Sequence, residues 1–320
     1  MEAPLMFKAL DILSIGHPFV DQQHHVNVDA VADTITLEEQ VNVNKLHELT
    51  ERIKEVIKDK GYRTRFSNFA KGIDSQGKHL VTYCRKQHGK GRFTPLKGQS
   101  VGLQRHELRD ALCHGIYHDI DISNAHPTVL LWLCELYNKE REENQPLIKY
   151  KCLLLYVTKR DLVLEALHTE RSIAKRVVLA LTNGQSMKAT LKMLKNHPAH
   201  KFIPKYKEEL DQIAEKLGAK YKDFPTTSQT NKKFSKMSVI MQHWENEVLM
   251  CMATYLEQEK GYRRGVLMAD GLMVYRKEQG TTAPMPVEVL RQCELHIKER
   301  FPGMLVALSE KPITTGIDLS

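Results

Sequence analysis

The chain has 320 residues, with 47 Lys and Arg against 39 Asp and Glu and a formal charge of +8. That length allows one large or two modest domains with a proper core, and the charge favours a polyanionic partner. Its six cysteines (Cys84, Cys113, Cys134, Cys152, Cys251, Cys293) form no C-x-x-C pair, which argues against a zinc ribbon or a disulfide framework and for a reducing compartment. With no charged-then-apolar leader and no apolar run of membrane-spanning length, the expectation is a soluble intracellular protein, cytoplasmic or nuclear.

Residues 1–45 are weakly patterned. His24 and His25 are adjacent and point differently, so they read as a surface pair rather than ligands. Apolar positions at helical spacing over 45–60 predict an amphipathic helix. From 61 to 109 the chain is basic and Gly-rich. Arg63, Arg65, Lys71, Lys78, Arg85, Lys86, Lys90, Arg92 and Lys97 are interleaved with Tyr62, Phe66, Tyr83 and Phe93, a composition that suits a nucleic-acid groove or a solvated loop. In the stretch Tyr117-His118-Asp119-Ile120-Asp121-Ile122-Ser123 the alternation predicts a half-buried strand. His126-Pro127 then opens a buried helix through about 140, since Pro costs nothing at a helix start.

Helices are expected over 150–168 and 170–182. The second takes Thr169 as its N-cap and stops at Asn183-Gly184. Basic helices broken at Pro198 and Pro204 fill 186–220, a polar loop covers 222–234, and a long helix spans about 235–258. Gly265 to Tyr275 reads as a hairpin of two apolar strands joined at Asp270-Gly271. A helix at 286–299 and a strand at 304–309 close the chain.

Two carboxylates stand out by position, Asp121 at a strand end and Asp270 at a hairpin tip. Side by side they would repel unless a cation lay between them, and carboxylate oxygens are natural ligands of Mg²⁺. Asp119 is expected on the opposite face of its strand. Arg171, Lys175 and Leu179 fall at four-residue steps along one helix face, two cations and an apolar platform able to hold a triphosphate and cover a base.

The order and spacing of these features resemble family A DNA polymerases and the single-subunit phage-type RNA polymerases. Motif A of that superfamily, a strand ending in Asp with Ser two residues on, is matched by Asp121-Ile122-Ser123. Motif B, R-x₃-K-x₇-Y-G, is matched by Arg171, Lys175 and Asn183-Gly184. The motif C hairpin is matched by Ala269-Asp270-Gly271. The upstream T-G-R-L-S-S…L-Q segment is echoed by Lys90-Gly91-Arg92-Phe93-Thr94 and Leu103-Gln104, with Arg109 ahead of motif A and Gln242 in the helix before motif C. The resemblance covers roughly 75–312.

It implies an α/β right-hand palm, an antiparallel sheet with helices, plus helical fingers. Residues 1–74 would form an N-terminal thumb-like segment, 75–149 and 235–320 the palm, and 150–234 the fingers. It implies a DNA-directed DNA polymerase working with two Mg²⁺ ions, Mn²⁺ substituting, held by Asp121, Asp270 and the Ile122 carbonyl. Arg171 and Lys175 would act on the triphosphate. Leu179, Asn183, His126 and Ser123 would contact the nucleotide, and Arg92, Gln104, Arg109 and Gln242 the primer-template. Helicase or other replication proteins are the implied partners, and the small size suggests a viral or mobile replicon. The chain departs from the family at His126, where the DNA enzymes carry Glu, at Asn183 for Tyr, at Leu179 for an aromatic, and at Gly271 for a carboxylate. A primase or RNA polymerase on the same fold, an inactive nucleic-acid-binding relative and a metal-dependent nuclease are the rival readings.

Overall fold

The computed structural model describes residues 34–87, 89–97, 99–194 and 201–317. His24, His25 and Pro198 lie outside them. In chain order the elements are β1 (Thr34–Gln40), α1 (Val43–Val56), α2 (Lys60–Ala70), β2 (Lys78–Gln87), β3 (Lys90–Pro95), α3 (His106–Cys113), β4 (Tyr117–Ile122) and α4 (Ala125–Glu140). There follow α5 (Lys151–Thr158), α6 (Arg160–Glu165), α7 (Arg171–Thr182), α8 (Met187–Met193), α9 (Phe202–Lys220), α10 (Lys232–Gln258), β5 (Arg264–Leu267), β6 (Gly271–Tyr275), α11 (Val287–Arg300) and β7 (Leu308–Lys311). The class is α/β with antiparallel sheets and helices, as the sequence implied.

Local chemistry accounts for most boundaries. Asn42 and Asp59 cap α1 and α2 by accepting from Lys45 N at 3.0 Å and Tyr62 N at 2.6 Å. Thr169 does not cap α7; the residue before that helix is Glu170, which makes no side-chain cap. Pro204 does not break α9, because it sits in the first turn, where N–H groups have no helical partner anyway. The helix expected over 150–168 is interrupted at Lys159 (φ −134°, ψ 45°).

The largest departure lies upstream. The segment read as groove or loop supplies β2 and β3, which form a three-stranded sheet with β1 from the weakly patterned first stretch. The final strand begins at Leu308 rather than 304 and ends at Lys311, two residues beyond its expected end.

Contacts divide the chain into two units. Among the described residues, the first comprises 124–242 and 302–305 and is helical. Its core sets Val129 to Cys134 of α4 among Tyr156, Tyr206 and Leu210, with Thr182 Oγ1 2.8 Å from the Tyr206 hydroxyl. The second comprises 34–123, 243–301 and 306–317 and carries both sheets, β1-β2-β3 and β5-β6-β4-β7.

Tyrosines tie the two sheets together. Tyr117 OH donates to Gln40 O at 3.0 Å and accepts from Gln40 N at 2.6 Å. Tyr275 OH donates to Glu38 O at 2.9 Å. Leu267 N donates to Tyr83 OH at 3.3 Å. The core beneath joins Leu49, Phe66, Phe69, Leu108, Leu112 and Val266. Strand β4 is therefore covered on both faces rather than half-buried, with Tyr117, His118, Asp119, Ile120 and Ile122 all buried.

Candidate active site

Strand register brings the two singled-out aspartates together. Asp121 pairs with Gly271 across β4 and β6, and Ile122 N donates to Asp270 O at 2.8 Å. Asp270, in the turn between β5 and β6, thus lies beside the end of β4, and its charge is felt by the Asp121 carboxyl. Burial is the main influence raising the Asp121 pKa, Lys311 opposes it, and Asp270 and Glu245 push the same way as burial. In an extended strand the N–H and C=O of one residue leave on the same edge. The Ile122 carbonyl therefore points to the hairpin side, as does its N–H, while Ser123 N turns the other way to Ala307 O at 2.8 Å.

Asp119 is not on the opposite face. Residues two apart in a strand share a face, so Asp119 and Asp121 lie on one side. The Asp119 carboxyl is pushed up to about 6 by burial, with Arg109 and Lys311 pulling down and Asp121 pushing up. Its Oδ1 is buried and accepts no hydrogen bond.

The residue after Asp270 has no room for a carboxylate. A Cβ at Gly271 would sit 2.8 Å from the Ile120 carbonyl oxygen and 3.4 Å from Asp121 Oδ1. The close strand pairing that sets Asp270 beside Asp121 is what demands glycine there.

Two participants had no signal in the sequence. Lys311, opposite Asp119 in the β4–β7 pairing, places Nζ 2.7 Å from Asp121 Oδ1, with the lysine half exposed and the aspartate 14% exposed. Burial would lower the Lys311 pKa, but Asp121, Asp270 and Asp119 together raise it. Glu245, buried on α10, is paired with Arg92 Nη2 at 2.9 Å.

The candidate duplex contacts are differently placed. Arg92 is engaged with Glu245, and Gln104 accepts from Tyr62 OH at 3.1 Å and donates to Ser100 O at 3.3 Å. The charge of Arg109 bears on Asp119, and Gln242 Nε2 donates to Ser238 Oγ at 3.1 Å. Arg85 is buried in a pair with Glu247, so part of the basic character of 61–109 is spent inside the unit. Ser123 Oγ is 3.4 Å from Ser309 Oγ.

In the helical unit, α7 buries Ala174, Val177, Val178, Leu181 and Thr182. Its opposite face carries the anticipated row, Arg171 and Leu179 exposed, Lys175 half-buried, and Asn183 exposed just past the end. Arg171 Nη2 meets Asp161 Oδ1 at 2.6 Å, a pair so exposed that it holds the guanidinium weakly. Desolvation, then Arg160 and Arg171, lower the Lys175 pKa, against the opposing pull of Asp161. Asn183 Nδ2 donates to Leu179 O at 2.8 Å. His126 lies in the first turn of α4.

The oxygen set at the end of β4 suits Mg²⁺, which binds through one or two carboxylates and completes its shell with water and phosphate. Asp121, Asp270 and the Ile122 carbonyl would supply the protein's share, and the buried Asp119 Oδ1 on the same face accepts no hydrogen bond. Among the described residues there is no group of three or more His, Cys, Asp and Glu side chains arranged to hold a metal by themselves.

No family model matches the chain. The Sputnik virophage protein named "Putative helicase V13" is 28% identical over 235 residues, covering 70% of this chain and 28% of that protein. The chain thus spans little more than a quarter of that relative. Among solved structures, the POL domain of Pol1 from M. smegmatis, in complex with DNA primer-template and dNTP, aligns over 78% of this chain and 50% of that one. Its TM-score is 0.47 and its identity 10%. No helix among the described residues is long and apolar enough to cross a membrane.

Proposed function

We propose that the chain is a template-directed nucleotidyltransferase, a small DNA polymerase of the family A type that extends a primer. The observation that carries this reading is the register that sets Asp270 beside Asp121, in a chain whose motif order matches that superfamily. Asp121, Asp270 and the Ile122 carbonyl would hold Mg²⁺, which supplies charge neutralisation for the triphosphate and activation of the primer hydroxyl.

The chain's own groups do the rest. Arg171 exchanges its exposed partner Asp161 for phosphate oxygens, which its planar fork fits better than a point charge does. Lys175 binds the same phosphates, and Leu179 covers the base. Asn183 and His126 contact the sugar, and Ser123 is a further nucleotide contact. Arg92, positioned by Glu245, together with Gln104, Arg109 and Gln242 borders the primer-template. In this reading 75–149 and 235–320 act as palm, 150–234 as fingers and 1–74 as a thumb-like segment.

A primase or RNA polymerase on the same scaffold is the second reading, favoured by His126 and Asn183 where DNA enzymes carry Glu and Tyr. A helicase activity, suggested by the virophage relative's name, finds little support in these residues. Gly72 to Lys78 has the glycine and lysine spacing of a phosphate-binding loop, but it leads from α2 into β2, whereas such a loop leads from a strand into a helix. Primer extension with dNTPs or rNTPs, with and without primer, tests the proposal. Asp121→Asn and Asp270→Asn should bind primer-template and extend nothing. Extension by either variant at the wild-type rate, or none by the wild type, would refute it.

A further inference from the structure

Lys311 is the unexpected member of the site. It belongs to the last strand, stands opposite Asp119 in the register and reaches diagonally to Asp121, with Nζ 2.7 Å from Oδ1. The carboxylates of Asp119, Asp121 and Asp270 share this corner of the sheet, and Asp119 Oδ1 is buried without a hydrogen bond. The ammonium therefore sits on a carboxylate oxygen assigned above to a divalent ion. Lysine is well suited to leave it, being a compact charge on a flexible stem that stands half in solvent.

We propose that Lys311 is a tethered cation that holds the Asp121 carboxylate when no divalent ion is bound and is displaced when one binds, so that it sets the affinity of the site for metal. This rests on the reading of Asp121 as a metal ligand. One ammonium and one divalent ion cannot share Oδ1 at contact distance without strong repulsion. Metal loading therefore releases Lys311 toward solvent, where a phosphate can take it up. The residue positions a ligand; it is not assigned a part in bond making.

The test is direct binding of Mn²⁺, followed by the spectrum of the free ion, without nucleotide or turnover. Lys311→Met keeps the aliphatic stem and removes the charge, and should bind Mn²⁺ about fivefold more tightly than the wild type, the weight of a half-exposed ion pair. Lys311→Gln serves as a second neutral variant should the first fold poorly by circular dichroism, and Lys311→Arg, which keeps the charge, should stay near the wild type. Asp121→Asn should lose the site. If Asp121→Asn abolishes binding while both neutral Lys311 variants match the wild type, the proposal is overturned and the metal site stands. If Asp121→Asn binds as the wild type does, both readings fall.

Discussion

Glu39 offers the sharpest test of how the two-sheet unit is held together. It is buried in β1, takes a hydrogen bond from the Tyr83 hydroxyl and accepts from Val101 N at 2.7 Å. Burial drives its carboxyl up from 4.5 to about 7, against the hydrogen bonds from Tyr83, Val101 and Ser100. An acid whose pKa is higher folded than unfolded holds its proton better in the native state, so stability is full below 4.5 and falls as pH rises through about 7. The gap of about 2.5 pH units, at ~1.4 kcal/mol each, makes the loss roughly 3–4 kcal/mol at most. Glu39→Gln removes the ionisation and keeps the shape. Its Oε1 can accept from Val101 N and its amide can donate to Tyr83 OH, which then turns to Ser100 Oγ, 3.1 Å away. Urea unfolding followed by Trp244 fluorescence in a Trp132→Phe background, at steps from pH 4.5 to 8, should show the two proteins alike at the acid end. Glu39→Gln should be the more stable above pH 7. A difference that does not change with pH would refute the reasoning.

Gly184 ends α7 at φ +86°, where a Cβ would lie 2.3 Å from Phe234 Cβ; Gly184→Ala should cost more than ~1 kcal/mol in urea unfolding. Lys175→Ala and Arg171→Ala should raise the nucleotide KM far more than they weaken primer-template binding, the arginine variant more severely. If both variants lose only duplex affinity, with a shallower salt dependence, α7 belongs to the nucleic-acid groove. His126→Glu should sharpen preference for dNTPs over rNTPs in competition assays, since a site that reads a hydroxyl discriminates steeply and an open one poorly. A wild type that already excludes rNTPs stringently, with His126→Ala unchanged, would count against a place for His126 in the sugar pocket.

What could be read from the sequence was what local pattern encodes. The end of β4, the Asp270 turn and the exposed row on α7 each depend on residues within a few positions, and the stop at Gly184 on a conformation that glycine adopts easily. Strand β2 of the β1-β2-β3 sheet escaped because its side chains do not alternate cleanly between polar and apolar. Leu80 of β2 is 71% exposed while Arg85 is buried against Glu247, so polar and apolar residues do not sort by face. Nothing in the local sequence marks Glu245, and only the packing of Arg92 against α10 shows it buried.

Lys311 is the most instructive case. Its position depends on the sheet order β6-β4-β7 and on a register fixed to the residue, and a strand placed four positions early leaves it outside the sheet altogether. A carboxylate at a strand end can be recognised from its neighbours in sequence. The charge that balances it comes from wherever the fold brings one, here from a strand almost 200 residues away. Sequence pattern therefore finds the acids of such a site more readily than the cation that competes for them.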